Sequence, residues 1–304
     1  MTVQHPTYHE PVLLQACLDA LAIRPEGSFV DATFGGGGHS KAILARLGPK
    51  GSLVAFDRDA DARANAPDDP RFTLIASDFR WVTNHLQFLG KLPVDGLLAD
   101  LGVSSHQFDT AQRGFSFRFD APLDMRMNQQ AKRTAEDLVN SLDEQALANL
   151  LKTYGELPHA RKVAQQLVRA RAEQRIATTG RLAEVLRPLA RRGEEHGFLA
   201  QVFQAFRIAV NDELASLEHL LAASAEVIGP GGRLVVMSYH SLEDRLVKNW
   251  MRTGNLQGQE EKDLFGNSLR PFKPTQSKPE RPSEEEQLRN PRARSARLRT
   301  AVRQ

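Results

Sequence analysis

The sequence predicts an α/β protein in which a mostly parallel sheet is interrupted by an inserted helical domain. Three observations support this prediction. Short apolar runs alternate with helical patterns over the first hundred residues, the alternation stops between residues 106 and 211, and it resumes after residue 212. Apolar strands that alternate with helices are typical of a parallel sheet covered on both faces. We therefore predict one discontinuous domain, residues 1–105 plus 212–304, with a helical insertion at 106–211.

The first segment contains four apolar runs of the length and composition of buried strands. They are Ser28–Ala32, Ser52–Asp57, Phe72–Ala76 and Val94–Asp100. Apolar spacing predicts a helix over Lys41–Leu47, after the first strand, and the alanine-rich segment Asp59–Ala66 is also expected to be helical. Because the insertion leaves the chain just after the fourth strand, it should overhang the carboxyl ends of the strands, where such sheets bind ligands.

The insertion begins with a loop rich in Gly, Phe and Arg at Gln107–Met127, and a helical pattern starts at Thr134. The α/β pattern returns with a helix at Glu213–Val227, which the glycines at 229–232 should end. A strand at Arg233–Ser238 and a helix at Leu242–Met251 follow. Residues 253–292 are rich in Gly, Pro and charged side chains and are predicted to form a long irregular loop before a last strand at Ser295–Val302.

Composition excludes several classes of protein. Apolar residues make up 41% of the 304 and charged residues 25%, as in ordinary globular proteins. The single cysteine, Cys17, excludes a disulfide within the chain and a cysteine-based zinc cluster, and we predict no metal site. No apolar run approaches the ~20 residues of a membrane span, and the polar N-terminus lacks a signal-peptide core. We therefore expect a cytoplasmic protein with no membrane partner.

Charge is unevenly distributed along the chain. Residues 106–211 and 270–304 carry net charges of +4 and +6, whereas residues 1–105 and 212–269 carry −3 and −4. Basic surface favours binding to polyanions, because each neutralised phosphate releases counterions. Chance clustering on a solvated surface is an equally good interpretation of charge alone.

Four consecutive glycines, Gly35–Gly38, join the first predicted strand to a helix, and they predict close approach of the backbone to a ligand. A dinucleotide fingerprint would need glycine at position 40, which is Ser40, and a P-loop would need a lysine after the run. S-adenosylmethionine also packs against a glycine-rich first loop. Asp57, at the end of the second strand, can accept both ribose hydroxyl protons of either S-adenosylmethionine or NAD.

Further candidate residues lie at the ends of the next two strands. Phe79 follows the third strand and is suited to stack on an adenine, and Asp78 to accept from its amine. A core aromatic beside a helix cap is the alternative. Asp100 ends the fourth strand. Four successive strand ends with such residues favour a nucleotide-like cofactor.

Several motifs are more specific than this general indication of a nucleotide-like cofactor. The Pro-Gly-Gly turn within Ile228–Arg233 is common before a strand in class I methyltransferases. The other motifs are Asp100–Gln107, Arg113–Phe117, Pro122–Met127, Tyr239–Arg245 and Asn290–Ser295. In this order they resemble the bacterial ribosomal RNA small-subunit methyltransferase H family, also called MraW, and the resemblance runs from His9 to Arg299.

The resemblance implies a class I, Rossmann-like S-adenosylmethionine-dependent methyltransferase with a mostly parallel seven-stranded sheet and an inserted all-helical domain. It implies methylation of the exocyclic N4 amine of a cytidine, position 1402, in the decoding centre of 16S rRNA in the small ribosomal subunit. Carried over motif by motif, the cofactor-binding residues are Gly37, Gly38, His39, Asp57, Phe79, Asp100 and Gln107. The sequence does not determine the oligomeric state, and a homodimer is compatible with it.

The transfer needs an acceptor for the cytosine amine, and we assign this role to Asp100 or a neighbouring carbonyl. The alternative is that Asp100 only holds the methionyl amine of the cofactor. The target base must leave its stack to reach the methyl group. We predict that Phe115 and Phe117 stack on the base and that Arg113 or Arg126 holds flanking phosphates.

His240 lies near the predicted substrate side, and a structural role is the alternative for it. For Phe115 and Phe117, the alternative to stacking is a place in the core. The arginines of the last strand and its approach are expected to face rRNA, although a solvated strand face explains them nearly as well. They are Arg292, Arg294, Arg297 and Arg299.

Two other functions remain open, and a third is excluded mainly by two sequence features. A DNA or small-molecule amine methyltransferase fits the cofactor residues but not the family motifs. An RNA-binding assembly factor would hold the cofactor without turnover, and only the intact cofactor residues argue against it. A Rossmann dehydrogenase is disfavoured by Ser40 and the Pro-Gly-Gly turn.

Overall fold

The computed structural model of the chain describes residues 11–304. The polar N-terminal stretch and His9, at the start of the family resemblance, lie outside this range. The described residues form two compact units. One comprises the residues up to Gly102 together with Leu214–Gln304, and the other is Val103–Glu213.

The first unit contains a seven-stranded sheet. Its strands are β1 (Ser28–Asp31), β2 (Ser52–Phe56), β3 (Phe72–Ile75), β4 (Val94–Asp100), β5 (Ile228–Ser238), β6 (Phe272–Pro274) and β7 (Arg297–Arg303). They are ordered β3-β2-β1-β4-β5-β7-β6. The first five strands pair in parallel, whereas β7 is antiparallel to both β5 and β6. The strand order reverses between β1 and β4, and the carboxyl ends at such a point form a binding crevice.

Twelve α-helices lie within residues 11–304. They are α1 (Leu14–Leu21), α2 (Gly38–Leu44), α3 (Val82–Phe88), α4 (Ser105–Asp109), α5 (Ala135–Ser141), α6 (Glu144–Gly155), α7 (Ala160–Glu173), α8 (Thr179–Leu186), α9 (Glu195–Asn211), α10 (Glu213–Val227), α11 (Ser241–Thr253) and α12 (Glu284–Arg289). None of them is long and apolar enough to cross a membrane.

The sheet has an apolar core on each face, because successive side chains of a strand point to opposite faces. Val30 and Leu97 pack on one face with residues of α3, α10 and α11. Phe29 and Leu98, their sequence neighbours, pack on the other face with residues of α1 and α2. The central strands are therefore covered on both sides, which explains why they are apolar throughout.

The second unit has its own helical core, and the prediction of helices from Thr134 onward is confirmed. Thr134 caps α5, because its side chain accepts a hydrogen bond from the backbone N–H of Asp137. The predicted loop at Gln107–Met127 is largely irregular, but α4 overlaps its start, and Leu123 and Met125 bury their side chains in the helical core.

The sequence correctly predicts the four strands of the first segment, but α2 begins at Gly38, three residues earlier than expected. Gly37 adopts the left-handed conformation before it, with φ of 77°, so the glycine run itself starts the helix. The segment Asp59–Ala66 forms a 3₁₀ helix at Ala60–Asn65 rather than an α-helix. Asp59 caps it through the backbone N–H of Asp61.

The prediction that residues 253–292 are wholly irregular is wrong. This segment contains β6, which pairs with β7, and α12. The Ser283 side chain accepts from the backbone N–H of Glu286, and three glutamates in the first turn favour the positive end of the helix dipole. The helix α10 ends at Val227, before the glycines at 229–232, as predicted. These glycines belong to β5, which therefore starts earlier than expected, and the pairing with β4 shifts register there.

Candidate active site

The glycine loop between β1 and α2 has a backbone that leaves little room for side chains. Gly35 and Gly37 have φ values of 51° and 77°. A Cβ atom on Gly37 would lie 2.9 Å from Cζ of Phe34, and one on Gly38 would lie 2.3 Å from Cγ of Pro11. Glycine is therefore required at positions 37 and 38, and the bare backbone there can approach a ligand closely.

A buried aspartate stabilises the glycine loop. Asp31, the last residue of β1, accepts hydrogen bonds from Ser40 Oγ at 2.7 Å and from the backbone N–H of Thr33 at 3.0 Å. Burial raises the pKa of Asp31, and these hydrogen bonds oppose the rise. Thr33 Oγ1 in turn accepts from the backbone N–H of Asp100 at 2.7 Å. Ser40, which breaks the dinucleotide fingerprint, thus ties α2 to the end of β1.

Asp57 follows β2 and holds the glycine loop through its carboxylate. Oδ2 accepts from the backbone N–H of Gly35 at 2.7 Å, and Oδ1 accepts from that of Asp59 at 2.8 Å. Burial is the main cause that raises the pKa of Asp57 to about 6. Each carboxylate oxygen has a further lone pair, so Asp57 can accept from two adjacent hydroxyl groups, as a ribose would present.

Asp78, after β3, is engaged on both oxygens. Oδ1 accepts from the backbone N–H of Arg80 at 2.9 Å, and Oδ2 accepts from Arg58 Nη1 at 3.1 Å and Ser216 Oγ at 2.9 Å. The carboxylate of Asp78 therefore serves this network, and its contact with an adenine amine stays a prediction. Phe79 is half-buried against the sheet core and stays the predicted adenine neighbour.

Asp100 lies at the carboxyl end of β4, beside the point where the strand order reverses. Oδ1 accepts from the hydroxyl group of Tyr239 at 2.8 Å, and Oδ2 lies 3.8 Å from Nδ1 of His39. Its side chain remains 24% exposed. Burial raises the pKa of Asp100 to about 6, although His39 and Tyr239 oppose the rise. Asp100 is ionised at neutral pH and takes up a proton more readily than an ordinary carboxylate.

His39, in the first turn of α2, is 6% exposed. Its Nε2 atom is buried and makes no hydrogen bond to any residue in the range 11–304. A buried polar atom without a partner is costly unless a ligand satisfies it. Together with the bare glycine backbone and the lone pairs of Asp57, this atom fits the polar groups of an S-adenosyl cofactor.

The structure thus brings together five of the predicted cofactor residues, Gly37, Gly38, His39, Asp57 and Asp100, on neighbouring strand ends of the first unit. Gln107 belongs to the second unit and is buried there. Its Oε1 atom accepts from the backbone N–H of Ser104, as part of a capping box at the start of α4. Its contact with the cofactor stays a prediction.

Three of the predicted substrate residues have structural roles in the second unit. Arg113 is 6% exposed, and its Nη2 atom donates to the carbonyl oxygens of Arg126 and Met127 at 2.9 and 3.0 Å. Phe115 is equally buried, in the helical core. The guanidinium group of Arg126 donates twice to the carboxylate of Asp124 and once to a backbone carbonyl. We therefore withdraw the phosphate-binding role of Arg113 and the stacking role of Phe115, whereas that of Arg126, whose side chain is 24% exposed, stays a prediction.

Phe117 and His240 have mixed surroundings. The Phe117 ring is only partly buried and packs edge-on against His196 and Phe203, with centroids 4.9 and 5.1 Å away. Its stacking role stays a prediction. His240, in the first unit, caps α11 by accepting from the backbone N–H of Glu243 at 3.5 Å. This favours the structural alternative for His240.

The last strand also corrects an expectation. Asp244 on α11 binds both Arg297 and Arg299, with its carboxylate oxygens 2.9 Å from Nη1 of Arg297 and 2.7 Å from Nε of Arg299. Arg299 is 11% exposed. These two arginines therefore hold β7 against α11. The single carboxylate of Asp244 neutralises one of their two charges, so Arg299 is not directed at rRNA, whereas a contact of Arg297, which is 35% exposed, with rRNA stays a prediction.

The fold and site define a class I methyltransferase, an enzyme whose methyl donor is S-adenosylmethionine. The defining features are the strand order with an antiparallel β7, the glycine loop after β1 and the carboxylates that end β2 and β4. The family model described as "MraW methylase family" matches residues 6–304. The chain belongs to this family.

Curated relatives match over nearly their whole length. Ribosomal RNA small subunit methyltransferase H of Parabacteroides distasonis is 55% identical, over 97% of this chain and 97% of that protein. Proteins of the same name from Bacteroides fragilis and Cytophaga hutchinsonii are 52% and 53% identical. These two alignments cover 99% and 98% of this chain, and 99% and 100% of those proteins.

Proposed function

We propose that the chain transfers a methyl group from S-adenosylmethionine to the exocyclic N4 amine of a cytidine, position 1402, in the decoding centre of 16S rRNA. The small ribosomal subunit is the proposed substrate. One observation carries this proposal: relatives with the name of a small-subunit rRNA methyltransferase share more than half of their residues with this chain over nearly the full length of both. The donor-side residues in the first unit are consistent with it.

When bound, S-adenosylmethionine supplies a strongly electrophilic methyl group on a sulfonium. The chain contributes binding and orientation. The bare backbone of Gly37 and Gly38 would lie next to the methionyl part, Asp57 would accept from the ribose hydroxyls, and Phe79 would stack on the adenine. Because these groups are held by strand ends and by hydrogen bonds within the loop, they are ordered before the donor arrives.

A cytosine amine is a poor nucleophile, because its lone pair is delocalised into the ring. Alignment of the amine with the methyl group can contribute ~7–11 kcal/mol to lowering the barrier. In this proposal Asp100 would accept a hydrogen bond from the amine and then take up the proton that the amine loses when it is methylated. The alternative role for Asp100 is to hold the methionyl ammonium group of the donor.

The helical unit, approximately residues 106–211, is proposed to bind the rRNA around the flipped base. The unit Val103–Glu213 carries a net charge of +2, and residues 106–211 within it carry +4, which favours a polyanion. Phe117 is the aromatic residue of this unit that we retain as the stacking candidate, since its ring is only partly buried. A stack between an aromatic ring and an unpaired base is a common mode of RNA recognition.

The experiment that tests this function supplies donor with a labelled methyl group to small subunits that lack the modification, and in parallel to deproteinised 16S rRNA. We expect label in the rRNA, with assembled subunits the better substrate, because the decoding centre is formed only there. Equal rates on both would contradict that preference. Label in DNA, or none in rRNA while donor binding is intact, would contradict the proposed function.

The donor site is tested with a pair of aspartate variants. Asp57→Ala should weaken donor binding at least tenfold, because the ribose acceptor and the anchor of the loop are both lost. Asp69→Ala is the matched control, since Asp69 pairs with Arg71 before β3, away from the glycine loop. Isothermal titration with the donor distinguishes the two. Equal affinities of the two variants would exclude Asp57 as a donor contact.

A further inference from the structure

We propose that Tyr239 is a positioning residue for the proposed methyl transfer: its hydroxyl group holds the carboxylate of Asp100 in one orientation and in its ionised form. This inference rests on the proposed function, in which Asp100 is the acceptor for the amine. Tyr239 itself touches neither donor nor amine in this account and acts through Asp100.

Tyr239 is placed by the sheet. It directly follows β5, which runs parallel to β4, and Asp100 pairs in register with Met237. Since the two strands end side by side, a long side chain just after β5 can reach the last residue of β4. The hydroxyl group of Tyr239 donates to Oδ1 of Asp100 at 2.8 Å.

The ring of Tyr239 is fixed from two further sides. Its backbone N–H donates to Oε2 of Glu243, in the first turn of α11, at 2.9 Å. A Cβ atom on Gly102 would lie 3.4 Å from Cδ2 of the ring, and Gly102 has a φ of 101°, so the loop after β4 passes closely over the tyrosine. A ring held this way can orient a partner at little further cost in entropy.

The hydrogen bond selects which oxygen of Asp100 remains available. Oδ1 is occupied by Tyr239. Oδ2 lies 3.8 Å from Nδ1 of His39, which is beyond hydrogen-bond distance, and the side chain keeps 24% exposure. Oδ2 is therefore the oxygen that faces a substrate group, and rotation of the carboxylate would require loss of the Tyr239 bond.

Among residues 11–304, the groups around Asp100 come from five elements. His39 on α2 and Tyr239 after β5 favour the charged carboxylate, whereas Asp31 on β1 and Glu243 on α11 disfavour it. The fifth group is the thiol of Cys17 on α1. Burial raises the pKa of this thiol, so it adds no charge.

Burial and the contact with Asp100 keep the pKa of Tyr239 well above its usual value. The hydroxyl group therefore remains a donor over the whole working range of pH. Removing a hydrogen bond to a charged group should raise the pKa of Asp100 by about one pH unit, from about 6 to about 7.

The test is the pH profile of the Tyr239→Phe variant, which keeps the ring and removes only the hydroxyl group. At saturating donor, kcat on small subunits should fall about fivefold at pH 6, relative to the unchanged chain, and stay within about twofold at pH 8.5. The donor Kd should not change. Tyr154→Phe, in α6 of the helical unit, is the matched control and should leave the profile unchanged.

A second readout does not depend on turnover. The ¹³C signal of the Asp100 side-chain carboxyl in the donor-free protein, assigned by its loss in Asp100→Asn, should titrate about one pH unit higher in Tyr239→Phe. An unchanged midpoint, or a pH profile that is merely lowered in parallel at all pH values, would overturn the proposal. If the unchanged chain fails to methylate small subunits, the proposed function fails, while the titration still decides the role of Tyr239.

Discussion

Substitution of Asp100 tests the site sharply, because the burial that raises the pKa of its carboxyl group also lowers the stability of the folded chain. The substitution Asp100→Asn removes the charge but keeps the shape. An asparagine oxygen can still accept the hydrogen bond from Tyr239. We expect methyl transfer to be lost and the folded state to become more stable at neutral and alkaline pH.

The magnitude follows from the pKa of about 6 in the folded chain, compared with an ordinary value of 3.8. This difference corresponds to about 3 kcal/mol of unfolding free energy, an upper value because the side chain is 24% exposed. The folded chain holds the proton more tightly than the unfolded chain does. The carboxyl group therefore lowers stability as the pH rises from about 4 to about 6, and the loss is complete above that range.

Scanning calorimetry from pH 4 to pH 8 measures this effect. At pH 8, Asp100→Asn should raise the free energy of unfolding by about 1–3 kcal/mol and Tm by several degrees, and the gain should vanish near pH 4. Asp19→Asn, an exposed aspartate on α1, should change Tm little at either pH. A Tm for Asp100→Asn at or below that of the unchanged chain at pH 8 would contradict the expected gain in stability.

Three further substitutions test the supports of the site. Gly37→Ala should destabilise the loop by about 1–2 kcal/mol and weaken donor binding, because φ is 77°; urea unfolding and titration with donor measure the two effects. Ser216→Ala should cost about 1–3 kcal/mol, because Asp78 loses the hydrogen bond that the Ser216 hydroxyl group donates; unchanged stability in urea would contradict this. Asp244→Ala should cost about 3 kcal/mol, because it leaves two arginines of β7 unpaired; hydrogen exchange should then rise in β7.

The strands of the first segment were predictable because buried parallel strands are short, continuous apolar runs. The ends of those runs also located Asp57 and Asp100, because in a parallel sheet every strand ends at the same edge. The short strand β6 and some conformations between strands were missed or misplaced. The glycine run starts α2 rather than merely preceding it, and α12 was missed because the charged composition of its segment outweighed the Ser283 cap.

The contacts that complete the site could not be predicted from local pattern. Ser216 reaches Asp78 and Tyr239 reaches Asp100 across 138 and 139 residues of sequence. No periodicity or spacing encodes such pairs, which exist only once the sheet has formed. Arg113 is the reverse case. Its charge suggested a surface role, whereas two backbone carbonyls satisfy it in the interior of the helical unit.

The proposed activity is methylation of the N4 amine of one cytidine in small-subunit rRNA. Mass spectrometry of nucleosides and of nuclease fragments from unmodified small subunits treated with the protein and S-adenosylmethionine tests it. We expect N4-methylcytidine, confined to the fragment that contains position 1402. A methyl group on another atom or another nucleoside, or none in a preparation that binds the donor, would contradict it.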